Sequence, residues 1–281
     1  MVRGSGITSR DPENHGPLSR TVLITGASSG IGEAFAHVFA EEGFDLVLTA
    51  RRADRLSKVA ESIREAHGRR VEIVAADLAD PAAAASLCQQ IAGRRLTIDV
   101  LVNNAGYRVP GAYVASPWEC HEAMLQVMVV ALAELTHRLL PGMIERGYGR
   151  IINVASLAAL VPAPAGHTLY AASKALVVKF SEALAGEVRR HGVHVTALCP
   201  GFTRSEFHDV TGTRASVSRL PSWLWMDAAQ VAREGFDAAM AGESVRVTGR
   251  VNRTIAVGAR CLPGWLVRSV GRRTAWRYRK S

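Results

Sequence analysis

The sequence lacks an apolar run long enough to cross a bilayer, and its cysteines are few and scattered. Charges or a Pro-Gly break interrupt every rich apolar stretch before it reaches the roughly 20 residues that a membrane helix needs. Residues 1–20 lack the apolar core of a signal peptide and are predicted to form a flexible polar lead. The four cysteines include no CxxC pair, which indicates neither a metal site nor a disulfide framework. A cytoplasmic protein with reduced cysteines is expected.

Acidic residues are absent from Val245 to Ser281, a stretch that carries ten of the 34 Lys and Arg residues. The rest of the chain holds 24 basic and 25 acidic residues, so the net charge of +9 belongs to this end. No nucleic-acid partner is predicted, because neither a general positive coat nor a recognised motif is present. Residues 261–281 are interpreted as a basic amphipathic tail. It is either solvated or packed on a subunit, or it makes peripheral contact with an anionic membrane or an acidic acyl carrier.

Apolar runs of strand length alternate with helical stretches through most of the chain. Strands are predicted at 21–26, 44–50, 71–77, 98–106, 150–156 and 193–201. Their near-continuous Val, Ile and Leu content indicates burial on both faces, and therefore a parallel sheet covered by helices on each side. No long linker interrupts the pattern, so one α/β domain with a doubly wound sheet is predicted over 21–260. Its ligand is expected at the carboxyl ends of the strands.

A glycine-rich turn, "TGASSGIG" (25–32), follows the first predicted strand directly. Its glycines let the backbone turn tightly and approach a ligand, and the helix that begins there directs free N–H groups at a pyrophosphate. A plain strand-to-helix turn is the alternative interpretation. Because a strand precedes the turn and a helix follows it, a nucleotide site is favoured. The cofactor-binding residues predicted here are Gly26, Ser28, Ser29, Gly30, Ile31 and Gly32.

The second predicted strand ends at two arginines where many nucleotide-binding proteins carry an acid. A bare ribose 2′-hydroxyl is usually met at this place by a carboxylate, and a 2′-phosphate by arginine. Arg51 and Arg52 occupy the strand end, so NADP(H) is favoured over NAD(H) as the cofactor. The alternative is that the arginines only solvate the start of the next helix, which describes Arg52 better than Arg51.

A tyrosine and a lysine in "YAASK" are the first candidates for catalysis. Tyr170 and Lys174 are four residues apart and share one face of the predicted helix. An adjacent ammonium stabilises a phenolate and brings the phenol pKa, ordinarily about 10, closer to the working range of an acid or base. Ser156, at the end of a predicted strand, adds a hydroxyl that can hold a carbonyl oxygen. A Tyr and Lys at this spacing are often only a surface pair, but together with Ser156 they are predicted to be catalytic.

Five ordered motifs resemble the short-chain dehydrogenase/reductase family over about residues 20–260. They are TGxxxGxG at Thr25–Gly32, NNAG at Asn103–Gly106, a strand-end Ser156, YxxxK at Tyr170–Lys174 and PG at Pro200–Gly201. The resemblance implies a Rossmann-type sheet of about seven strands and an NAD(P)-dependent oxidoreductase that acts on CH–OH or C=O groups. It also implies a homodimer or homotetramer.

The same resemblance implies a role for each matching residue. Tyr170 would exchange a proton with the substrate oxygen, Lys174 would bind the nicotinamide ribose and lower the pKa of that tyrosine, and Ser156 would orient the carbonyl or alcohol. Further cofactor contacts are implied for Asp77 and Leu78 at the adenine, for Asn103, Ala105 and Gly106 on the ribose side, and for Pro200, Gly201 and Thr203 near the carboxamide.

Two features depart from the family pattern. The spacing from Ser156 to Tyr170 is one residue longer than the commonest one, and its prolines and glycine can absorb the extra residue. Met128, within "MLQVMVVALAELTH" (124–137), stands where relatives commonly carry an asparagine, which permits a helix distortion and holds a water that relays protons to the lysine. A buried methionine is ordinarily plain packing. Since a thioether cannot make the amide's hydrogen bonds, a slowed or rewired proton relay with hydride transfer retained is predicted.

The segment 202–226 lies where the family carries its variable substrate-covering region. Its apolar end is formed by Trp223, Leu224, Trp225 and Met226. These residues suit a hydrophobic, steroid-, acyl- or lipid-like substrate, although packing on the core or on a subunit is an equal alternative. The predicted function is the NADP(H)-dependent interconversion of a hydrophobic ketone and a secondary alcohol, with Tyr170 as acid/base. The alternative is a nucleotide-binding sensor or scaffold that lost turnover through Met128.

Overall fold

The computed structural model describes residues 20–163, 166–204 and 221–261. The strands are β1 (Thr21–Thr25), β2 (Asp45–Thr49), β3 (Val71–Ile73), β4 (Val100–Asn103), β5 (Gly149–Val154), β6 (Val193–Cys199), β7 (Phe202–Arg204), β8 (Trp225–Asp227) and β9 (Val245–Val247). The helices are α1 (Gly30–Glu41), α2 (Ala53–His67), α3 (Ala83–Gly93), α4 (Trp118–Leu125), α5 (Ala131–Glu145), α6 (Thr168–Val188), α7 (Ala228–Ala241) and α8 (Arg250–Cys261).

Seven of these strands form one parallel sheet in the order β3-β2-β1-β4-β5-β6-β9. Successive residues of β1 enter different cores: Val22 packs with the cluster under α1, α2 and α7, whereas Leu23 packs with the cluster under α3 and α5. Both faces of the sheet are therefore covered, as the apolar strand pattern predicts. The doubly wound α/β sheet with seven strands is confirmed.

The strand order reverses between β1 and β4, and this reversal positions the site. Chain segments leaving the carboxyl ends of β1 and β4 separate there to opposite sides of the sheet, which opens a crevice above the strand ends. The glycine turn follows β1, the NNAG motif begins at Asn103 in β4, and Ser156 follows β5. Residues 130 positions apart in sequence are thereby brought to one edge of the sheet.

The strand prediction changes in its details. The third strand ends at Ile73 instead of residue 77, although the Val74 and Ala76 N–H groups still donate to the Leu48 and Ala50 carbonyls beyond it. The predicted strand 98–106 shortens to Val100–Asn103. A second, two-stranded sheet pairs Phe202–Arg204 with Trp225–Asp227 in parallel. The predicted substrate-covering segment thus begins and ends in adjacent strands, and its residues 205–220 lie outside the described residues. The predicted lead also lies outside them up to residue 19, as does the predicted tail beyond Cys261.

One continuous helix runs from Trp118 to Glu145 and contains a π-helical turn at Gln126–Val130. By length and composition it is apolar enough to cross a membrane, with a mean hydropathy of 1.4 over its richest window. Met124 and Leu135, however, are fully buried against the sheet. The apolar side of this helix is therefore a core face of the folded chain.

Candidate active site

The glycine turn after β1 is a cradle that side chains would fill. Gly26 and Gly30 have φ values of +65° and +61°, which favour glycine. A Cβ on Gly32 would lie only 2.2 Å from the carbonyl oxygen of Gly26. The side-chain amide of Asn104 donates to the carbonyl oxygens of Thr25 and Gly26 at 2.9 and 3.2 Å. The turn is thus fixed on two sides, and its shape fits a ligand that contacts bare backbone.

The first turn of α1 supplies the charge complement for a phosphate. Ser29 precedes the helix, and its side chain makes no capping hydrogen bond. The first N–H groups of α1 therefore point into the crevice without a side-chain cap, in the orientation that binds a pyrophosphate. Ser28 is buried and Ile31 is partly buried beside them. The predicted cofactor residues of this turn are brought together, and the geometry fits a dinucleotide.

The two arginines after β2 have different positions. Arg52 Nη2 lies 3.2 Å from both Ser28 Oγ and Ser29 Oγ, so its guanidinium stands over the glycine turn. Burial raises the pKa of Tyr107, the charge of the exposed Arg51 lowers it, and the Asp77 carboxylate raises it further. Arg52 is therefore the arginine in direct contact with the turn, and the part that each arginine takes in cofactor binding stays a prediction.

The segment after β4 forms the wall of the crevice facing the glycine turn. A Cβ on Gly26 would come within 2.9 Å of Ala105 Cα. The Asn103 side chain points away from the crevice, because its amide donates to Thr136 Oγ1 and Asn153 Oδ1 at 3.1 and 2.9 Å. The predicted ribose-side contact of Asn103 is therefore left to its backbone, and the neighbouring Asn104 is the side chain that shapes the turn. Sequence reasoning did not single out Asn104.

The remaining predicted cofactor residues lie at two other strand ends. Asp77 is exposed after β3, where its carboxylate accepts from the Ala79 N–H at 3.1 Å, and Leu78 is buried next to it. After β6, Pro200 is buried and the Thr203 hydroxyl donates to the Gly201 carbonyl at 3.2 Å. These groups flank the crevice at the carboxyl edge of the sheet. Their contacts with a cofactor stay predictions.

The three predicted catalytic residues lie next to one another. Ser156 follows β5, and its Oγ accepts from the Ala158 N–H at 3.1 Å. Its hydroxyl lies close enough to the Tyr170 phenol to lower the pKa of that phenol. Lys174, one turn along α6, is 5% exposed and its Nζ donates to the Val154 carbonyl at 2.7 Å. The ammonium lies 6.0 Å from the centre of the Tyr170 ring. The structure therefore assembles a hydroxyl, a phenol and an ammonium.

Burial shifts both titrating groups of this triad. It raises the pKa of Tyr170, and the hydrogen bond from Ser156 and the positive charge of Arg108 act in the opposite direction. Burial also lowers the pKa of Lys174 to about 8, because the charged ammonium is disfavoured away from water. The phenol is thus protonated at neutral pH, the state needed to donate a proton to a ketone oxygen. Most Lys174 side chains keep their charge below pH 8.

Met128 lies in the π-helical turn of the long helix and is 1% exposed. A Cβ on Gly106 would lie 3.6 Å from Met128 Sδ and 3.7 Å from Lys174 Nζ, so the thioether and the ammonium flank the same point. The helix distortion that the resemblance associates with asparagine is therefore present without the asparagine. The chain keeps the backbone shape at this position and lacks the amide.

Two side chains near Tyr170 were missed by sequence reasoning. The ring of His167 packs edge-on against the Tyr170 ring, with centroids 5.9 Å apart. Burial and the charge of Arg108 lower the pKa of His167 to about 4, so this imidazole is neutral at physiological pH. Arg108 itself is only 7% exposed. The sequence signal that could have identified Arg108 is its position two residues after the NNAG motif, where the chain leaves the central strand β4.

Comparison with known proteins gives the family. The family model for short chain dehydrogenases matches residues 20–215. A short chain dehydrogenase of Pseudocercospora fijiensis is 39% identical over 193 residues, a match that covers 66% of this chain and 60% of that protein, which is less than two thirds of its length.

Solved structures give the same result. A short-chain dehydrogenase from Sphingobium yanoikuyae in complex with NADPH superposes with a TM-score of 0.76 at 34% identity, covering 86% of this chain and 93% of that one. A bulky-bulky ketone specific alcohol dehydrogenase from Comamonas testosteroni gives 0.72 at 28% identity, covering 86% and 92%. This chain belongs to the short-chain dehydrogenase family, and it is an NAD(P)-dependent oxidoreductase of that family.

Proposed function

We propose that the protein is an NADP(H)-dependent oxidoreductase that interconverts a hydrophobic ketone and a secondary alcohol. The observation that carries the proposal is the contact of Ser156 with Tyr170, one helical turn from the buried Lys174, at the edge of the sheet that holds the glycine turn. A hydroxyl and a phenol that lie this close together can both reach one substrate oxygen.

The preference for the phosphorylated cofactor rests on the charge over the glycine turn. Arg52 contacts Ser28 and Ser29, and Arg51 stands beside it at the end of β2. A 2′-phosphate at this place would meet two guanidinium groups, whereas a bare ribose hydroxyl is usually met by a carboxylate. The NADPH held by the Sphingobium yanoikuyae relative is consistent with the same choice.

The triad supplies the acid, the charge and the orientation for the reaction. A bound nicotinamide supplies or accepts the hydride. In the reducing direction the Tyr170 phenol donates its proton to the carbonyl oxygen while the Ser156 hydroxyl holds that oxygen in place. The Lys174 ammonium stabilises the phenolate left behind, which eases the transfer. In the oxidising direction the phenolate takes the proton back.

The hydrophobic character of the substrate is supported by the apolar lining beside the triad. Leu157 and Leu160 follow Ser156 and are partly exposed at the site. The rings of Phe202 and Trp225 pack together with centroids 5.7 Å apart at the base of the covering segment. The Comamonas testosteroni relative, specific for bulky-bulky ketones, also favours a large apolar substrate.

A screen of NADPH oxidation over steroid, acyl and quinone ketones tests the function, with the Tyr170→Phe variant as control. Turnover by the wild type that the variant loses supports the proposal. The competing function, a nucleotide sensor weakened at Met128, would show tight NADPH binding with no turnover on any ketone. That result would reject the proposal that the protein reduces a hydrophobic ketone.

The assembly and location of the enzyme are also proposed. Val130 and Leu176 are each 47% exposed and offer apolar surface for a homodimer or homotetramer. A cytoplasmic location is proposed, with the basic tail that follows α8 in contact with an anionic membrane or acyl carrier. The exposed Val251, Ile255 and Val257 of α8 lie among arginines, with no acid in its first turn. Deletion from Leu262 onward is expected to abolish binding to anionic vesicles, and unchanged binding would contradict the membrane contact.

A further inference from the structure

Arg108 is a largely buried cation that has no assigned role in holding the cofactor or the substrate. The residue is 7% exposed. Within the ranges that the structure describes, its guanidinium donates no hydrogen bond and lies within ion-pair distance of no carboxylate. Its nitrogens are not among the described buried side-chain atoms that lack a hydrogen-bond partner, so they keep contact with water. A guanidinium that is accessible in this way and has no carboxylate beside it can bind an anion from outside the chain.

The direction of the Arg108 side chain separates it from the adenosine end of the crevice. Tyr107, its neighbour, feels the charges of Arg51 and Asp77 on the cofactor side. Arg108 instead acts on Tyr170 and His167, the pair at the start of α6. The charge of Arg108 therefore acts on the residues of the proton-transfer half, whereas Arg51 and Asp77 act on its neighbour Tyr107.

The anion that would bind at Arg108 is not a cofactor phosphate. The pyrophosphate position is provided by the N-terminus of α1, and the 2′-phosphate position by Arg52 over the glycine turn. Both lie after β1 and β2, whereas Arg108 lies after β4 beside the phenol. Among the described residues, the charge that shifts the pKa of Tyr170 and of His167 is the positive charge of Arg108, so this wall of the site carries positive charge.

We propose that Arg108 binds a carboxylate of the substrate, so that the hydrophobic ketone or alcohol of the proposed function is an oxo or hydroxy acid with an apolar body. The inference rests on the proposed function, since it names the substrate class of the same site. A guanidinium fork binds a carboxylate through two parallel hydrogen bonds, which fixes orientation as well as position. Anchored there, the substrate presents its carbonyl to Tyr170 and Ser156 in one pose.

The test compares carboxylates with their neutral methyl esters. Phenylglyoxylate, benzoylpropionate and benzoylbutyrate share an aryl ketone and differ in the distance from carbonyl to carboxylate. The kcat/KM of each acid and each ester is measured with NADPH for the wild type, Arg108→Met and Arg108→Lys. Arg138→Met is the matched control, because Arg138 is an exposed α5 residue paired with Glu134.

For the spacer that fits, the wild type is expected to prefer the acid over the ester by about tenfold to a hundredfold, the value of one charge-assisted contact. Arg108→Met should remove the preference, so that acid and ester have kcat/KM values within about threefold of each other. Arg108→Lys should retain part of it, and Arg138→Met all of it. Equal rates for acid and ester in the wild type at every spacer, or a preference that survives in Arg108→Met, would overturn the inference.

A binding measurement separates this inference from the proposed function. The same acids and esters are titrated by calorimetry into the wild type and Arg108→Met, each saturated with NADP⁺. Selective binding of an acid that Arg108→Met loses, together with no turnover, supports the carboxylate contact and rejects the ketone reduction. Equal binding of acid and ester, or no binding of either, overturns the carboxylate contact whatever the turnover.

Discussion

The cofactor half and the substrate half of the crevice are built in different ways. Around β1 and β2 the site is made of backbone: glycines that tolerate no Cβ, free N–H groups of α1 and a turn fixed by Asn104. Beside β4, β5 and α6 it is made of individual side chains, including Met128 and Arg108, which depart from or add to the family pattern. Backbone shape is shared within a family, whereas side chains set what each member does with it.

The largest effect is expected from Tyr170→Phe, in the substrate half. Loss of the phenolic proton should lower kcat by about a thousandfold, within the usual range for a general acid. The Kd for NADPH, measured by fluorescence titration, should stay within about threefold, because the glycine turn is untouched. A variant that keeps more than about a tenth of the activity would show that Tyr170 is not the proton donor.

Gly32→Ala tests the cofactor half, where we expect weaker cofactor binding instead of a slower chemical step. Its Cβ would lie 2.2 Å from the Gly26 carbonyl oxygen, so the turn must move. A strain of roughly 2 kcal/mol would weaken NADPH binding by about thirtyfold. Gly93→Ala is the control, because nothing lies within 4 Å of its added Cβ. Similar Kd values for both variants would contradict the backbone cradle.

Arg52→Gln separates the two cofactors. Because Arg52 stands over the glycine turn, its loss should weaken NADPH binding by about tenfold and leave NADH binding unchanged. Arg51→Gln, at the exposed neighbour, should have the smaller effect. Titration of both cofactors into both variants measures the difference. An equal loss for NADPH and NADH would remove the case for a 2′-phosphate site.

Met128→Asn is expected to make the substrate half resemble that of the family. The π-helical turn is already present next to Lys174, so an amide there should be able to hold the relay water. Turnover should rise by about threefold to tenfold, a part of the range for proton transfer. An unchanged or lower kcat would contradict the prediction that the missing amide slows the proton relay to Lys174. Met128→Leu, which restores no hydrogen bond, is the control.

The smallest effect is a shift in pH dependence. The Arg108 charge lowers the pKa of Tyr170 against the effect of burial, with Ser156 also lowering it. His167 adds no charge above pH 5, because its own pKa is about 4. Removal of the positive charge in Arg108→Met therefore raises the phenol pKa, and the alkaline rise of alcohol oxidation should move to higher pH. A shift to lower pH would contradict this placement.

The strands of the sheet and the residues with helical spacing are predicted well from the sequence. The sheet follows from apolar runs, since strands buried on both faces leave a strong and regular signal. The triad follows from spacing, because residues four apart on a helix must share a face. The pairing of β7 with β8 does not follow, since each has three residues and the partners are 23 positions apart.

Single side chains are harder to predict because their direction depends on the whole crevice. No local pattern reveals that Arg108 is buried beside Tyr170 while its neighbour Tyr107 faces the adenosine half. For the same reason, the sequence does not reveal that Arg52 contacts the serines of the glycine turn. Asn103 and Asn104 are adjacent, yet one secures the strands from inside and the other holds the glycine turn.

The most direct test of the central claim is the transfer of a label. NADPH that carries deuterium at the reactive position of the nicotinamide is supplied with the ketone panel, and the alcohols are examined by mass spectrometry. The account predicts deuterium on the carbinol carbon with the wild type and at least a hundredfold less with Tyr170→Phe. Tight binding of NADPH by both proteins, with no labelled alcohol from any ketone or oxo acid, would contradict it.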